Sequence, residues 1–193
     1  MARIKGIAVG AFISYLRKEL GPDVVEEIVA AIGPEFRDRF DLAHPSLGFL
    51  AASWYEAPMV HALMDAMYER LSPRDADRLL RTGAQVALKS TLTGTHRAIL
   101  RVVGSPSLHA RFAQRLWRTY YDHGRVVSEV AAPDRQVISY YEWEAHHPML
   151  CRFTTESDLV IFPAMGVKNV SVSQLACVSN GDEGCTHEVC WTL

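Results

Sequence analysis

The chain has 193 residues, 49% of them hydrophobic and 22% charged, with 20 Lys+Arg against 22 Asp+Glu for a formal net charge of −2. Those proportions exclude a disordered or fibrous chain and are enough for a sizeable core. The near balance of charge leaves no basic field to grip a phosphate backbone, so a nucleic-acid partner is not expected.

Arg3 and Lys5 precede an apolar run from Gly6 to Leu16, but no small-x-small cleavage site follows. Residues 4–20 therefore read as an amphipathic first helix, with Ile7, Phe12, Leu16 and Leu20 on one stripe. No stretch reaches the ~20 apolar residues of a membrane span. The four cysteines all follow residue 150, too few for a disulfide framework in a chain this long. A soluble, cytoplasmic protein with reduced thiols is the expectation. Gly21-Pro22-Asp23 ends the first helix, and a second runs from about Val24 to Ile32, with a short turn from Glu35 to Phe40. Residues 41–52 read as irregular. Ser53 with Glu56 resembles a capping box opening a helix that carries Met59, Leu63, Met67 and Leu71 in register. Ser72-Pro73 opens another, running to about Ser90. A further helix follows Gly94 with Ile99 and Val102, and Ser105-Pro106 opens the last of the set, ending at Gly124.

The period then changes. Arg125–Ala131 and Gln136–Trp143 read as strands joined by a turn, residues 149–164 as a helix, and Val170–Val178 and Cys185–Trp191 as two further strands. The fold class predicted is α+β. The domain expectation is a single domain, 1–193, with a helical part (1–124) packed on a small, mostly antiparallel sheet with a crossing helix (125–193).

Cys177 and Cys185 flank a polar turn, Asn180-Gly181-Asp182-Glu183-Gly184, that brings two thiols close together. Thiolates bind zinc tetrahedrally, and such a site ties a hairpin to a distant helix. Cys151 is the third candidate ligand, and Gln174 or His187 lies within reach as the fourth. Cys190 is offset by an odd number from Cys185, so an unbroken strand turns it to the opposite face. The competing reading is that these are buried, inert thiols. His146 and His147, with Glu142 and Glu144, read as a solvated loop before Pro148.

The tail VSQLACVSNGDEGCTHEVCW resembles the closing motif of the 4-vinyl-reductase-type domain, and the stretches SWYEAPMVHALMDAM and SPSLHARFAQRLWRTYYDHGRV look like a bacterial relative in the same superfamily. That superfamily is shared with haem–nitric-oxide-binding sensors and Bet3-type tethering subunits. The resemblance implies a zinc held by three cysteines and a Glu, matched by Cys151, Cys177 and Cys185, with Gln174 standing where the Glu should be. The haem-sensing relatives use a helix histidine and a Tyr-x-Ser-x-Arg clamp. His109 stands suitably upstream of Tyr140, but the local stretch is Ser139-Tyr140-Tyr141-Glu142-Trp143-Glu144, with Ser and Arg missing and acids present. Haem is therefore disfavoured and His109 is read as locally satisfied.

A small apolar pocket between helices and sheet would draw on Trp54, Met59, Met67, His109, Phe112 and Tyr140. With no catalytic constellation in view, the functional expectation, implied by the resemblance, is non-enzymatic. It is a sensory or regulatory domain that binds a small hydrophobic ligand, carries zinc as a structural ion, and signals through a protein partner or a homodimer. The alternatives are a Bet3-like dimeric adaptor without a ligand and a haem-based gas sensor.

Overall fold

A computed structural model gives the fold for residues 1–92 and 104–192. The predicted helix after Gly94, with Ile99 and Val102, lies outside these described residues. The architecture is α+β. Strand β1 (Arg3–Lys5) leads into α1 (Gly6–Leu20), α2 (Pro22–Ala30) and the short α3 (Pro34–Arg37). Strand β2 (Trp54–Glu56) precedes α4 (Ala57–Arg70), α5 (Pro73–Thr91) and α6 (Pro106–Trp117). Then come β3 (Arg125–Ala132), β4 (Arg135–Tyr141), α7 (Pro148–Ala164), β5 (Lys168–Ala176) and β6 (Cys185–Thr192). Among the described residues no helix is long and apolar enough to cross a membrane.

Helix starts follow local chemistry. The Ser72 hydroxyl accepts from the Asp75 N–H at 3.2 Å and the Ser105 hydroxyl from the Leu108 N–H at 3.1 Å, each with Pro at the first helical position. The His147 Nδ1 does the same for the Met149 N–H at 3.2 Å. The Ser53–Glu56 expectation is corrected: no cap forms there. Residues 54–56 instead pair antiparallel with residues 3–5, Arg3 opposite Glu56 and Lys5 opposite Trp54, and the helix starts only at Ala57. The predicted first helix loses its first two residues to the same pairing, because the Gly6 N–H goes to the Ser53 carbonyl and not into a helical turn. Helix α6 ends at Trp117, short of Gly124, as the chain turns to bring Tyr121 against Ile4.

The four-stranded sheet has the order β3-β4-β6-β5, antiparallel throughout. Alternation decides its faces. On β6, Cys185, His187, Val189 and Trp191 are buried, whereas Thr186, Glu188 and Cys190 are partly exposed. On β4 the buried set is Gln136, Ile138 and Tyr140. Helix α7 lies between this inner face and the helical layer, packing on both α5 and β5. Its Phe162 is fully buried, with its ring 5.4 Å from that of Trp191, and the Phe153 ring meets Phe12 of α1 edge-on at 5.8 Å. Full burial of such a side chain contributes about 1.5–3 kcal/mol.

Gly184 sets how closely β6 enters the sheet. A Cβ there would stand 2.6 Å from the Tyr140 carbonyl oxygen and 2.9 Å from the Tyr141 ring. Gly184→Ala is expected to lower stability by about 1–3 kcal/mol through overpacking. A chemical-denaturation midpoint equal to that of the unmodified chain would contradict the close approach.

Candidate functional site

Two features meet along α7. The first is a cavity of about 540 Å³ bounded by α1, α5, α6, β3, β4 and α7. Its walls are mostly apolar and aromatic, including Ala8, Leu116, Trp117, Phe153 and Ile161, a volume and lining typical of small-molecule sites. His109, Phe112 and Tyr140 are in the wall. Trp54, Met59 and Met67 are not, and that part of the pocket expectation is corrected. Trp54 lies on β2 under the Lys5 ammonium, 4.6 Å from its ring centre, and Met59 is buried in α4. Met67 lines a separate apolar void of about 20 Å³ among α1, α2 and α4. The helical period places these side chains inward but does not say which interior gap they face. Phe112 and Leu116 are 40% and 46% exposed, because their face of α6 borders the cavity and not a packed neighbour.

His109 is held from behind. Its Nδ1 lies 2.9 Å from the side-chain amide of Gln136, which also reaches the Ser128 hydroxyl at 2.7 Å. Gln136 is fully buried, and its remaining amide atom has no partner. As placed, it is the amide nitrogen that faces Nδ1 and the amide oxygen that has no partner; turning the amide over would put the proton on Nδ1 and leave Nε2 its lone pair, the pattern found behind metal-ligating histidines. Burial lowers the His109 pKa below the ordinary imidazole value, so the ring is neutral at neutral pH. Tyr140 is buried, which raises its pKa well above that of a free phenol, and the Asp158 carboxylate adds to the rise.

The second feature is a thiol cluster. Cys151 in the first turn of α7, Cys177 after β5 and Cys185 at the start of β6 are all buried. Cys177 Sγ lies 3.8 Å from Cys151 Sγ and 3.7 Å from Cys185 Sγ, and 3.7 Å from His146 Nε2. The four ligand atoms all fall within 4.8 Å of one another. A tetrahedral ion with metal–sulfur bonds of about 2.3 Å requires sulfurs about 3.8 Å apart, so this spacing is that of a closed metal shell. It is far too wide for disulfides. The closeness of the Cys151 and Cys185 thiols lowers the Cys185 pKa below that of an ordinary thiol and, with burial, raises that of Cys151.

The fourth corner is His146, which the sequence reading placed in a solvated loop. Gln174 and His187 both approach Cys151, at 3.6 and 3.8 Å, and of the two histidines it is His146 and not His187 that joins the three thiols. His187 is fully buried and spans the two features: its Nε2 is 3.0 Å from the Thr155 hydroxyl, and its Nδ1 is 3.6 Å from Asp158 on the cavity wall. The position of His146, five residues before Cys151 and directly ahead of a helix start, was the available signal.

No family model and no curated protein matches the chain. Solved structures do. An Fe(II) unliganded H-NOX protein from K. algicida superposes with a TM-score of 0.69 at 14% identity, covering 98% of this chain and 97% of that one. An H-NOX protein from S. oneidensis in the Fe(II)NO state gives 0.68 at 14% identity, with 98% and 100% covered. An oxygen-binding H-NOX domain related to soluble guanylate cyclases, in its oxygen complex, gives 0.64 at 13%, with 98% and 96% covered.

The chain has the H-NOX fold.

This finding overturns the expectation against haem, since the same fold carries haem in structures that match almost the whole chain. The structure also takes the two acids out of that expectation, although the clamp's Ser and Arg are still missing from that stretch of the chain. Glu142 and Glu144, in place of the Ser and Arg of the clamp, are 78% and 60% exposed and lie near Arg125 and His123, at 3.9 Å each. Neither is in the cavity wall, whereas Arg115 is. The narrower likeness to the 4-vinyl-reductase-type and Bet3-type branches gains nothing from these comparisons.

Gln136→Leu would leave the His109 ring and the Ser128 hydroxyl without their shared partner. The expected cost is about 1–3 kcal/mol, read as a lower midpoint of thermal unfolding. An unchanged midpoint would contradict the positioning role given to Gln136.

Proposed function

We propose that this chain is a haem-binding, gas-sensing domain of the H-NOX type, and that its C-terminal hairpin is fastened by a zinc-type ion. The observation that carries the first part is His109: a neutral imidazole in the wall of a 540 Å³ cavity, held at Nδ1 by the buried Gln136 amide, which when turned over would leave Nε2 for an iron. The residues present fit the group. His109 would ligate the iron, Trp117, Phe153 and Ile161 would line the space around the macrocycle, and Arg115 would be the wall cation available to a propionate. Bound haem would supply an iron able to take up a diatomic gas. The chain's own part is to hold His109 in one tautomer, keep bulk water from the apolar walls, and pass a change at the cavity into α6 and α7. The readout then goes to a partner protein or a second copy. No reaction is assigned to the domain.

The second part rests on the four-atom cluster of His146, Cys151, Cys177 and Cys185. A thiolate-rich shell with one imidazole suits zinc, and closing it joins the start of α7 to both arms of the hairpin. Trp143, whose ring meets His146 edge-on at 5.3 Å and Trp117 at 4.9 Å, continues the contact from this cluster to the cavity wall.

Haem supplied during expression should give a Soret band in the purified protein, and His109→Gly should abolish it unless free imidazole is added. A wild-type protein that takes up no haem contradicts the reading. Elemental analysis of the same preparation should find one zinc-type ion per chain. Both Cys177→Ser and His146→Ala should lose it, while Gln174→Ala should retain it. A metal-free wild type whose melting temperature ignores chelator contradicts the structural ion.

A further inference from the structure

Asp158 is the one carboxylate in the cavity wall among the described residues, and its ion-pair partner there is His187. Asp158 is 3% exposed, and its Oδ2 has no hydrogen-bond partner. The nearest complementary group, His187 Nδ1, stands 3.6 Å away, beyond hydrogen-bond distance, and that nitrogen has no hydrogen-bond partner either. A buried carboxylate in this condition is costly unless a positive group meets it. Arg115, the cation of the wall, is exposed on α6 and forms no ion pair with Asp158 among the described residues. His187, 3.6 Å away, is the countercharge the fold itself offers, and a cation held in the cavity would be the second.

Position points to the iron centre. Asp158 lies one helical turn before Phe162, whose ring packs edge-on against His109 at 5.3 Å. His187, beside Asp158, has its ring 5.3 Å from that of Tyr140. The carboxylate lies in the same cavity wall as His109 and Tyr140, with His187 beside it. Its field is felt there, because it raises the His109 pKa against the lowering by burial.

We infer that Asp158 is the fixed countercharge of the haem site and biases the iron(III)/iron(II) couple toward iron(III). The physical reason is simple. Haem with iron(III) carries one more positive charge at its centre than haem with iron(II), and a negative charge in a low-dielectric wall stabilises the more positive form. The one-electron couple is otherwise set by the axial ligand and the burial of the macrocycle, neither of which Asp158 provides. Asp158 is a positioning and charge-setting residue and not a ligand of the iron. The inference rests on the haem reading of the cavity.

Spectroelectrochemical titration of the haem-loaded protein, with redox mediators supplying the electron, tests it. Asp158→Asn, nearly isosteric and neutral, should shift the midpoint potential upward. Asp158→Ser should do the same with a smaller side chain, and Asp158→Glu should stay near the wild type. The histidine-ligated absorption spectrum should be the same in all four, which a merely structural role would not combine with a charge-dependent potential. If Asp158→Asn and Asp158→Ser load haem and titrate at the wild-type potential, the countercharge role is overturned while the haem reading stands. If the wild type loads no haem, the haem reading falls and this inference falls with it.

Discussion

Helix α7 has to be buried on two sides at once, and the site follows from that constraint. One side faces the sheet and the other faces the helical layer. Its first turn delivers Cys151 to the hairpin thiols, its middle presents Phe153 and Asp158 to the cavity, and its last turns pack Phe162 under Trp191. A helix so enclosed cannot hide polar groups freely. Asp158 and His187 are retained in the interior at a cost, and such retention is expected where a ligand completes the bonding. Cavity and cluster thus share a wall, with His187 between them.

The parts of the site differ in how they could be read from residues alone. The three thiols were legible because a polar turn of fixed length separates Cys177 from Cys185, and strand parity sends Cys190 to the other face; β6 has that alternation. His146 was not legible. It belongs to no periodic segment, and a histidine before a proline looks like any solvated loop until the chain folds back on Cys177. The short β1–β2 pair was also hidden, since three residues carry no measurable alternation, and Ser53 with Glu56 imitates a cap. The α+β class and most helix starts were legible, because Ser-Pro at residues 72–73 and 105–106 satisfies the first free N–H groups locally.

The cavity shows a different limit. A helical stripe such as Leu108, Phe112 and Leu116 reports which way side chains point, not whether they meet protein or open space. The haem question turned on the same gap. Judged as letters, Glu142 and Glu144 set two negative charges where a cation clamp is expected. In the folded chain Glu142 adopts a left-handed backbone (φ 52°) just past β4, and both carboxylates point to solvent. The added acids do not reach the cavity, whereas the clamp cation they replace has to be supplied from elsewhere in the wall.

The claim on which the account depends is that the cavity is a cofactor site built around His109. Anomalous diffraction from crystals of the protein, grown after expression with a haem precursor, tests it most directly. The account predicts an iron-edge peak at coordination distance from His109 Nε2, inside planar density that fills the cavity. Crystals with no iron peak there, and with the cavity closed by its own side chains or filled only by solvent, would contradict it.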